Sequence, residues 1–236
     1  MMQKLKSKLS ELGIKLTDYQ LDQFDRYYEL LIEWNQKINL TAITEKNEVI
    51  DKHFVDSLSI VKGMDMSTVN SLIDIGTGAG FPGIPLKIVF PHLEVALLDS
   101  LNKRINFLKL VSEELKLEKV TCLHGRAEDF AKEPAHREQY DLCVSRAVAN
   151  LSTLSEYCIP YIRVGGIFIS YKSGEIGDEL SASKLALSIL KAKLLKVEEF
   201  VLPETEINRS LVIVEKVDKL PGKYPRKAPL PSKKPL

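Results

Sequence analysis

Long apolar runs are missing from this chain, and so are internal repeats and low-complexity tracts outside its last twenty residues. No apolar segment approaches the ~18 residues that a membrane-spanning helix needs, so no membrane partner is expected. Met1 to Gly13 is basic, with leucines at helical spacing (Leu5, Leu9, Leu12) in place of the apolar block of a secretory signal. Cysteine is scarce. Cys122, Cys143 and Cys158 are odd in number and scattered among apolar neighbours. That excludes a disulfide framework and points to reduced core thiols in a cytoplasmic protein. No Ser-His-Asp or Cys-His arrangement is evident, and no cluster with metal-ligand spacing, so no metal is expected.

What is present suits one sizeable α/β domain. Hydrophobic residues make up 44% of the 236 and charged residues 28%, enough apolar content for a packed core. Charge is nearly balanced overall but unevenly placed. Residues 216–236 hold seven basic side chains (Lys216, Lys219, Lys223, Arg226, Lys227, Lys233, Lys234) against Asp218, a local +6 within a chain of net +1. Five prolines in that stretch bar a regular helix or a central strand. A basic, proline-stiffened tail on a slightly acidic body suggests a polyanionic partner. Cutting the tail at Lys219 is therefore expected to weaken binding to that partner and to spare binding in the core.

Three regions follow from the pattern: an N-terminal helical segment packed on the core (1–63), an α/β domain (64–217) and the tail (218–236). Thr17-Asp18-Tyr19-Gln20 is a capping box. The helix it opens keeps Leu21, Phe24, Tyr27, Leu31 and Trp34 on one stripe and should end near Asn35. These aromatics are read as core rather than as a base-stacking platform. A non-helical link over 39–43 leads to a helix capped by Thr44 and to a last helix from about His53 to Gly63. Strands are expected at 71–75, 94–99, 119–124, 140–145, 166–172, 194–202 and 209–217, with Gly165-Gly166 as the turn before the fifth. Helices are expected at 82–90, 101–117, 150–162 and 175–191. This alternation gives a seven-stranded, mostly parallel sheet covered on both faces. Pro203 to Asn208 is too short for a parallel crossover, so the last strand should run antiparallel.

In such sheets ligands sit beyond the carboxyl ends of the strands. The first strand, Leu72 to Ile75, runs into Gly76-Thr77-Gly78-Ala79-Gly80-Phe81-Pro82-Gly83. Glycines there let backbone approach a ligand closely, and the following helix offers its free N–H groups. The second strand ends at Asp99, 23 positions after Gly76, placed to accept from both hydroxyls of a ribose. The third runs into Gly125-Arg126-Ala127-Glu128, where backbone and carboxylate could read an adenine edge. The fourth ends at Arg146 and the fifth at Lys172. Gly78 to Gly83 matches the G-x-G-x-x-G dinucleotide pattern. Its centre, however, is Phe81-Pro82, and Asp74 precedes Gly76 by two residues. An acid there suits a cationic cofactor better than a pyrophosphate. S-adenosylmethionine (SAM) is therefore preferred to NAD, on a Rossmann-like class I SAM methyltransferase fold.

Six ordered motifs and a tail segment then carry a resemblance. They are Asn39-Leu40-Thr41-Ala42-Ile43, His53-Phe54-Val55-Asp56-Ser57, the loop from Asp74 to Pro85, Leu98-Asp99-Ser100-Leu101-Asn102-Lys103-Arg104, Arg126-Ala127-Glu128 with Ser145-Arg146-Ala147, and Lys223-Tyr224-Pro225-Arg226-Lys227-Ala228. Over nearly the whole chain the sequence resembles the bacterial 16S rRNA guanine-N7 methyltransferase family, RsmG or GidB. The resemblance implies that Gly76, Phe81, Ala127, Glu128 and Arg146 contact SAM, with Asp99 on its ribose; Thr77, Gly78 and Gly80 complete the expected cofactor set. It implies as substrate a guanosine in the 530-loop of 16S rRNA, met in the 30S subunit or an assembly intermediate by a monomeric enzyme. Guanine N7 offers an in-plane lone pair and no proton, so no general base is expected. Asn39, His53, Arg146 and Lys172 are candidates for positioning the base, and Arg104, Lys172, Arg226, Lys227, Lys233 and Lys234 for binding RNA. Family tails often carry glycine where this chain has Pro229. The alternatives are a SAM methyltransferase for another RNA base or a small molecule, and a ribosome-assembly protein that only binds SAM.

Overall fold

The computed structural model describes residues 2–146, 149–174 and 176–236. Its centre is a seven-stranded sheet of order β3-β2-β1-β4-β5-β7-β6. The chain enters through α1 (Met2–Glu11) and α2 (Asp18–Ile38). Thr17 and Gln20 close the capping box, and Asn39 ends α2 in the left-handed conformation with φ 49°. The helix therefore runs one turn past the expected stop at Asn35, because the break comes from the cap geometry of Asn39 and not from a loss of apolar periodicity. Three pieces then form one continuous helical path: α3 (Lys46–Val49), a π-helical turn over Ile50–Val55, and α4 (Asp56–Leu58), closed by a 3₁₀ turn at Ser59–Lys62. The cap of α3 is Glu45, whose side chain accepts from the Glu48 N–H, and not the expected Thr44.

The α/β part follows as β1 (Ser71–Ile75), α5 (Gly83–Val89), β2 (Glu94–Asp99), α6 (Asn102–Glu114), β3 (Val120–His124), α7 (Ala127–Phe130), β4 (Tyr140–Arg146), α8 (Leu151–Cys158), β5 (Ile162–Lys172), α9 (Gly177–Ile189), β6 (Ala192–Val201) and β7 (Asn208–Lys216). Strands β1 to β5 pair in parallel, and β7 inserts antiparallel between β5 and β6. Gly165-Gly166 is not a turn ahead of β5 but lies inside it. The register slips there, Tyr140 pairing with Ile162 and Leu142 with Ile167, so the residues between them bulge out of the ladder.

Apolar side chains fill both faces of the sheet. One core joins α1, α2, α5 and α6 through residues such as Leu5, Phe24, Tyr27, Leu97 and Leu108. The other joins α8 and α9 through Ile73, Leu154, Phe168 and Leu187. The aromatic stripe of α2 is core: Phe24 and Tyr27 are fully buried and contact Phe54, while Trp34 packs on Phe107. Helix α1 is held at the far end of the chain. The buried Lys8 ammonium donates to the Pro203 carbonyl at 2.8 Å, in the turn between β6 and β7, and pairs with Asp51 at 2.8 Å.

The last residues are not a free tail. A short helical turn, α10 (Leu230–Lys233), carries Pro231 in its first turn, and the segment lies on α8.

Candidate functional site

The topological switch lies between β1 and β4, where neighbouring crossovers leave in opposite directions and open a crevice at the strand ends. The glycine loop occupies it. Gly76, Gly78 and Gly80 all have positive φ, at 70°, 61° and 102°. A Cβ at Gly78 would meet nothing nearer than the Gly76 carbonyl at 4.0 Å, so that position borders open space. Gly80 is different: its Cβ would collide with Tyr27 Oη and Ile84 Cγ1 at 2.7 Å. Its glycine serves the packing of α2 against the loop, where Tyr27 Oη donates to the Ala79 carbonyl at 2.6 Å.

Two carboxylates set the loop. Asp74 is fully buried; its Oδ2 accepts from Thr77 Oγ1 at 2.7 Å and from the Gly83 N–H at 2.9 Å. Its Oδ1 has no hydrogen-bond partner among the described residues. Burial pushes its carboxyl up to about 6, against the pull of those two donors and of Arg146. Asp99, at the end of β2, accepts from the Gly78 N–H at 3.0 Å, the Leu101 N–H at 2.9 Å and Arg104 Nη1 at 3.1 Å. A carboxylate has about four acceptor directions, so one stays open while Arg104, whose side chain is 32% exposed, holds another that it can release by swinging outward.

Three adjoining cavities line the crevice. The first, about 430 Å³, is bordered by Thr41, His53, Gly76 to Ala79, Phe81, Asp99, Arg104 and Arg146. The second, about 230 Å³, continues from it past Gly76 and Asp99 to Gly125, Ala127, Glu128 and Tyr157. The third, about 600 Å³, lies on the other side of His53 and Arg146 and reaches Lys52, Asp56, Asn150, Lys172, Glu179 and Arg209. His53 and Arg146 are thus a shared wall, and its geometry is fixed from several elements. Arg146 donates to Asp56 Oδ2 at 2.7 Å and to the Lys52 carbonyl at 2.8 Å, and Arg209 of β7 takes Asp56 Oδ1 at 2.8 Å. The His53 ring stacks on Phe81 with centroids 4.4 Å apart, and Arg146 lies over the same ring at 5.2 Å. Arg146 Nη2 stands 3.2 Å from His53 Nδ1, which also lies 3.1 Å from the Lys52 carbonyl. The other ring nitrogen, Nε2, faces Thr41 Oγ1 at 2.9 Å. Burial and the Arg146 charge push the imidazole down to about 3, so it stays neutral.

Of the sequence-derived candidates, Gly76, Thr77, Gly78, Phe81, Asp99 and Arg146 meet in the first cavity and Ala127 and Glu128 in the second. Asn39 is exposed and caps α2, leaving Leu40 and Thr41 to reach the site. Lys172 borders the third cavity, paired with Glu179 at 2.6 Å. Arg104 lies on the glycine-loop side, against Asp99. Arg226 is bound to the buried Glu156, while Lys227, Lys233 and Lys234 are exposed. Within the quoted motifs, Ala147 lies outside the described residues. Sequence reasoning missed Asp56, Arg209 and Tyr27. Asp56 lay within a quoted motif, but an acid inside a helix gives no hint of two arginine partners 90 and 153 positions away.

The family model GidB, described as rRNA small subunit methyltransferase G, matches residues 20–210. The chain belongs to this family. It is 51% identical over 232 residues to "Ribosomal RNA small subunit methyltransferase G" of Alkaliphilus metalliredigens, covering 98% of this chain and 97% of that one. Against the protein of the same name from Streptococcus gordonii the identity is 53% over 229 residues, covering 97% and 96%. Among solved structures, a mutant of MtNAS in complex with S-adenosylmethionine superposes with a TM-score of 0.54 at 16% identity, over 83% of this chain and 75% of that one. That likeness is one of fold. The seven-stranded, Rossmann-like architecture expected for the rRNA small subunit methyltransferase G family is thus the observed one.

Proposed function

We propose that this protein transfers a methyl group from SAM to guanine N7 in the 530-loop of 16S rRNA, in the cytoplasm, on the 30S subunit or an assembly intermediate. The observation that carries the reading is the divided crevice: a glycine-loop cleft and a larger cationic cavity that meet at His53 and Arg146. Family membership supports the rRNA substrate, because the relatives carry that name.

The residues present fit SAM. Asp99 keeps an acceptor for a ribose hydroxyl and gains a second when Arg104 swings out. Ala127 and Glu128 border the continuation where an adenine would lie. The open Cβ direction at Gly78 leaves room for close backbone approach. The buried, half-satisfied carboxylate of Asp74 supplies negative charge near a cationic ligand. When bound, SAM supplies an electrophilic methyl group.

On the acceptor side the chain has to seat a base and exclude water. N7 needs no deprotonation, and the wall fits that need: the neutral His53, pushed to about 3, is a poor base at neutral pH. Arg146 still has N–H donors not spent on Asp56, Lys52 and His53, and these can hold a carbonyl such as guanine O6, the neighbour of N7. Lys52, Lys172 and Arg209 make the rim attractive to RNA phosphates. N7 lies on the major-groove edge, inaccessible in an A-form helix, so the base must come from a loop or be turned out of its stack. The test is methyl transfer from labelled SAM to 30S subunits lacking modification, followed by nucleoside analysis. A 7-methylguanosine mapping to the 530-loop is expected. A methyl on another base, or none despite SAM binding, would overturn the assignment.

A further inference from the structure

Glu156, in α8, is wholly buried, yet it belongs to neither the loop nor the wall. Its carboxylate is taken up by Arg226 of the C-terminal segment. The Arg226 backbone N–H donates to Oε1 at 2.7 Å, Nε reaches Oε1 and Oε2 at 2.9 and 3.1 Å, and Nη2 reaches Oε2 at 2.7 Å. The same Nη2 donates to the Lys234 carbonyl at 2.8 Å, folding the end of the chain back on itself. One turn earlier in α8, Thr153 Oγ1 donates to the Pro231 carbonyl at 3.1 Å.

A second anchor comes from the opposite side. Arg137, in the segment leading from α7 to β4, donates to the Ala131 carbonyl and to the Tyr224 and Leu220 carbonyls, at 3.1, 2.9 and 3.0 Å. Its neighbour Glu138 accepts from the Leu220 N–H at 3.0 Å and pairs with Lys216 at 2.6 Å. The C-terminal segment thus spans two elements that both border the nucleoside end of the cleft. From α8 comes Tyr157, adjacent to Glu156. From α7 come Ala127 and Glu128, with the Ala127 carbonyl tied to Tyr161 Oη at 2.7 Å.

We infer that residues 218–236 form a clamp that sets the spacing of α7 and α8, and with it the fit of the adenosine part of the cofactor. Arg226 and Glu156 are positioning residues for that site. This rests on the SAM reading of the cleft. It reassigns Arg226 from RNA contact to cofactor-site geometry and reverses the expected consequence of removing the tail, which would weaken binding in the core. Lys227, Lys233 and Lys234 remain exposed and available to RNA.

Removing Arg226 alone strands a buried carboxylate and threatens the fold, so the informative variant is the double one, Arg226→Ala with Glu156→Gln. It removes both the charge to be compensated and the clamp. Binding of S-adenosylhomocysteine by calorimetry, binding of 30S subunits, and steady-state kinetics are compared with the wild type. The clamp requires the folded double variant to bind S-adenosylhomocysteine about tenfold more weakly. The KM for SAM should rise correspondingly, with kcat and 30S affinity near wild type. Unchanged S-adenosylhomocysteine affinity, or a loss of 30S affinity alone, would overturn it. If the double variant does not fold, Thr153→Val reports the same quantity through the weaker anchor, with a smaller loss of affinity expected and an unchanged value again decisive against the clamp. A wild-type protein that failed to bind S-adenosylhomocysteine would instead remove the cofactor reading itself.

Discussion

Replacing Asp74 by Asn tests how the glycine loop is held. The carboxyl has no solvent access, two donors on Oδ2 and no partner on Oδ1 among the described residues. Burial raises it from 3.8 to about 6. A group whose folded value lies above its unfolded value favours the folded state when protonated, so its contribution is complete below 3.8, is lost as the pH rises from there through about 6, and changes little above pH 7. The shift corresponds to roughly 3 kcal/mol at neutral pH. Asn keeps the acceptor that Thr77 and Gly83 use and carries no charge. It also leaves an amide N–H₂ unpaired, which returns about 1–2 kcal/mol of the gain. The pH dependence is therefore the sharper readout. Urea unfolding of the wild type and Asp74→Asn at pH 5, 6, 7 and 8 should show the difference moving in favour of the variant by roughly 1.4 kcal/mol from pH 5 to 8, and levelling above pH 7. A difference that stays constant across that range would refute the assignment of the raised value to Asp74. Ligand binding should respond in the opposite sense: the variant should bind SAM more weakly at pH 8, since the buried negative charge that favours a cation is gone.

Five further outcomes follow from the same geometry. Asp99→Ala should weaken S-adenosylhomocysteine binding by at least about tenfold in calorimetry, since it removes the acceptor for ribose and the anchor of the Gly78 N–H; equal affinity would take Asp99 out of the site. Gly78→Val should fold, at a cost of about 1–2 kcal/mol for a branched residue at positive φ, yet lose ligand binding. Gly83→Val should instead fail in thermal melting, because its Cβ would stand 2.4 Å from Leu97 Cδ2. Tyr27→Phe should lower stability by roughly 1 kcal/mol through the lost bond to the Ala79 carbonyl. Changing Lys227, Lys233 and Lys234 together to Ala should reduce the slope of log rRNA affinity against log salt by about 2, with cofactor affinity unaltered; an unchanged slope would remove these lysines from the RNA surface.

Strands β1 and β2 fall at 71–75 and 94–99, where the apolar runs and the glycine loop put them. Local pattern suffices for such elements, because the central strands of a parallel sheet are buried on both faces and punctuated by turn residues. The glycine-loop side of the crevice was legible for the same reason: its residues sit at or just after the ends of successive strands. On the other side the sequence named His53, Arg146 and Lys172, which do border the third cavity, but not what holds them there. Asp56 joins Arg146 to Arg209 across three distant elements, and no local pattern encodes that meeting. The C-terminal segment misled by composition. Lys216 and Arg226 count as positive charge in the sequence, but Glu138 and Glu156 neutralise them in the fold. The extension of β5 back to Ile162 was hidden by glycines, which mark a bulge as readily as a turn.

The seat of α1 carries a consequence for synthesis. Lys8 completes its hydrogen bonds only on a turn 195 residues downstream. At roughly 5–20 residues per second of translation, Lys8 waits about 10–40 s for the Pro203 carbonyl to exist. Leu5 and Leu9 can already pack on α2 and the Ile50–Val55 turn in that interval, while the carbonyl that takes the buried Lys8 ammonium does not yet exist. Helix α1 is thus among the last elements to complete its polar contacts. The Lys8 contact ties α1 to the turn between β6 and β7, so a change at Lys8 bears on a late step of assembly.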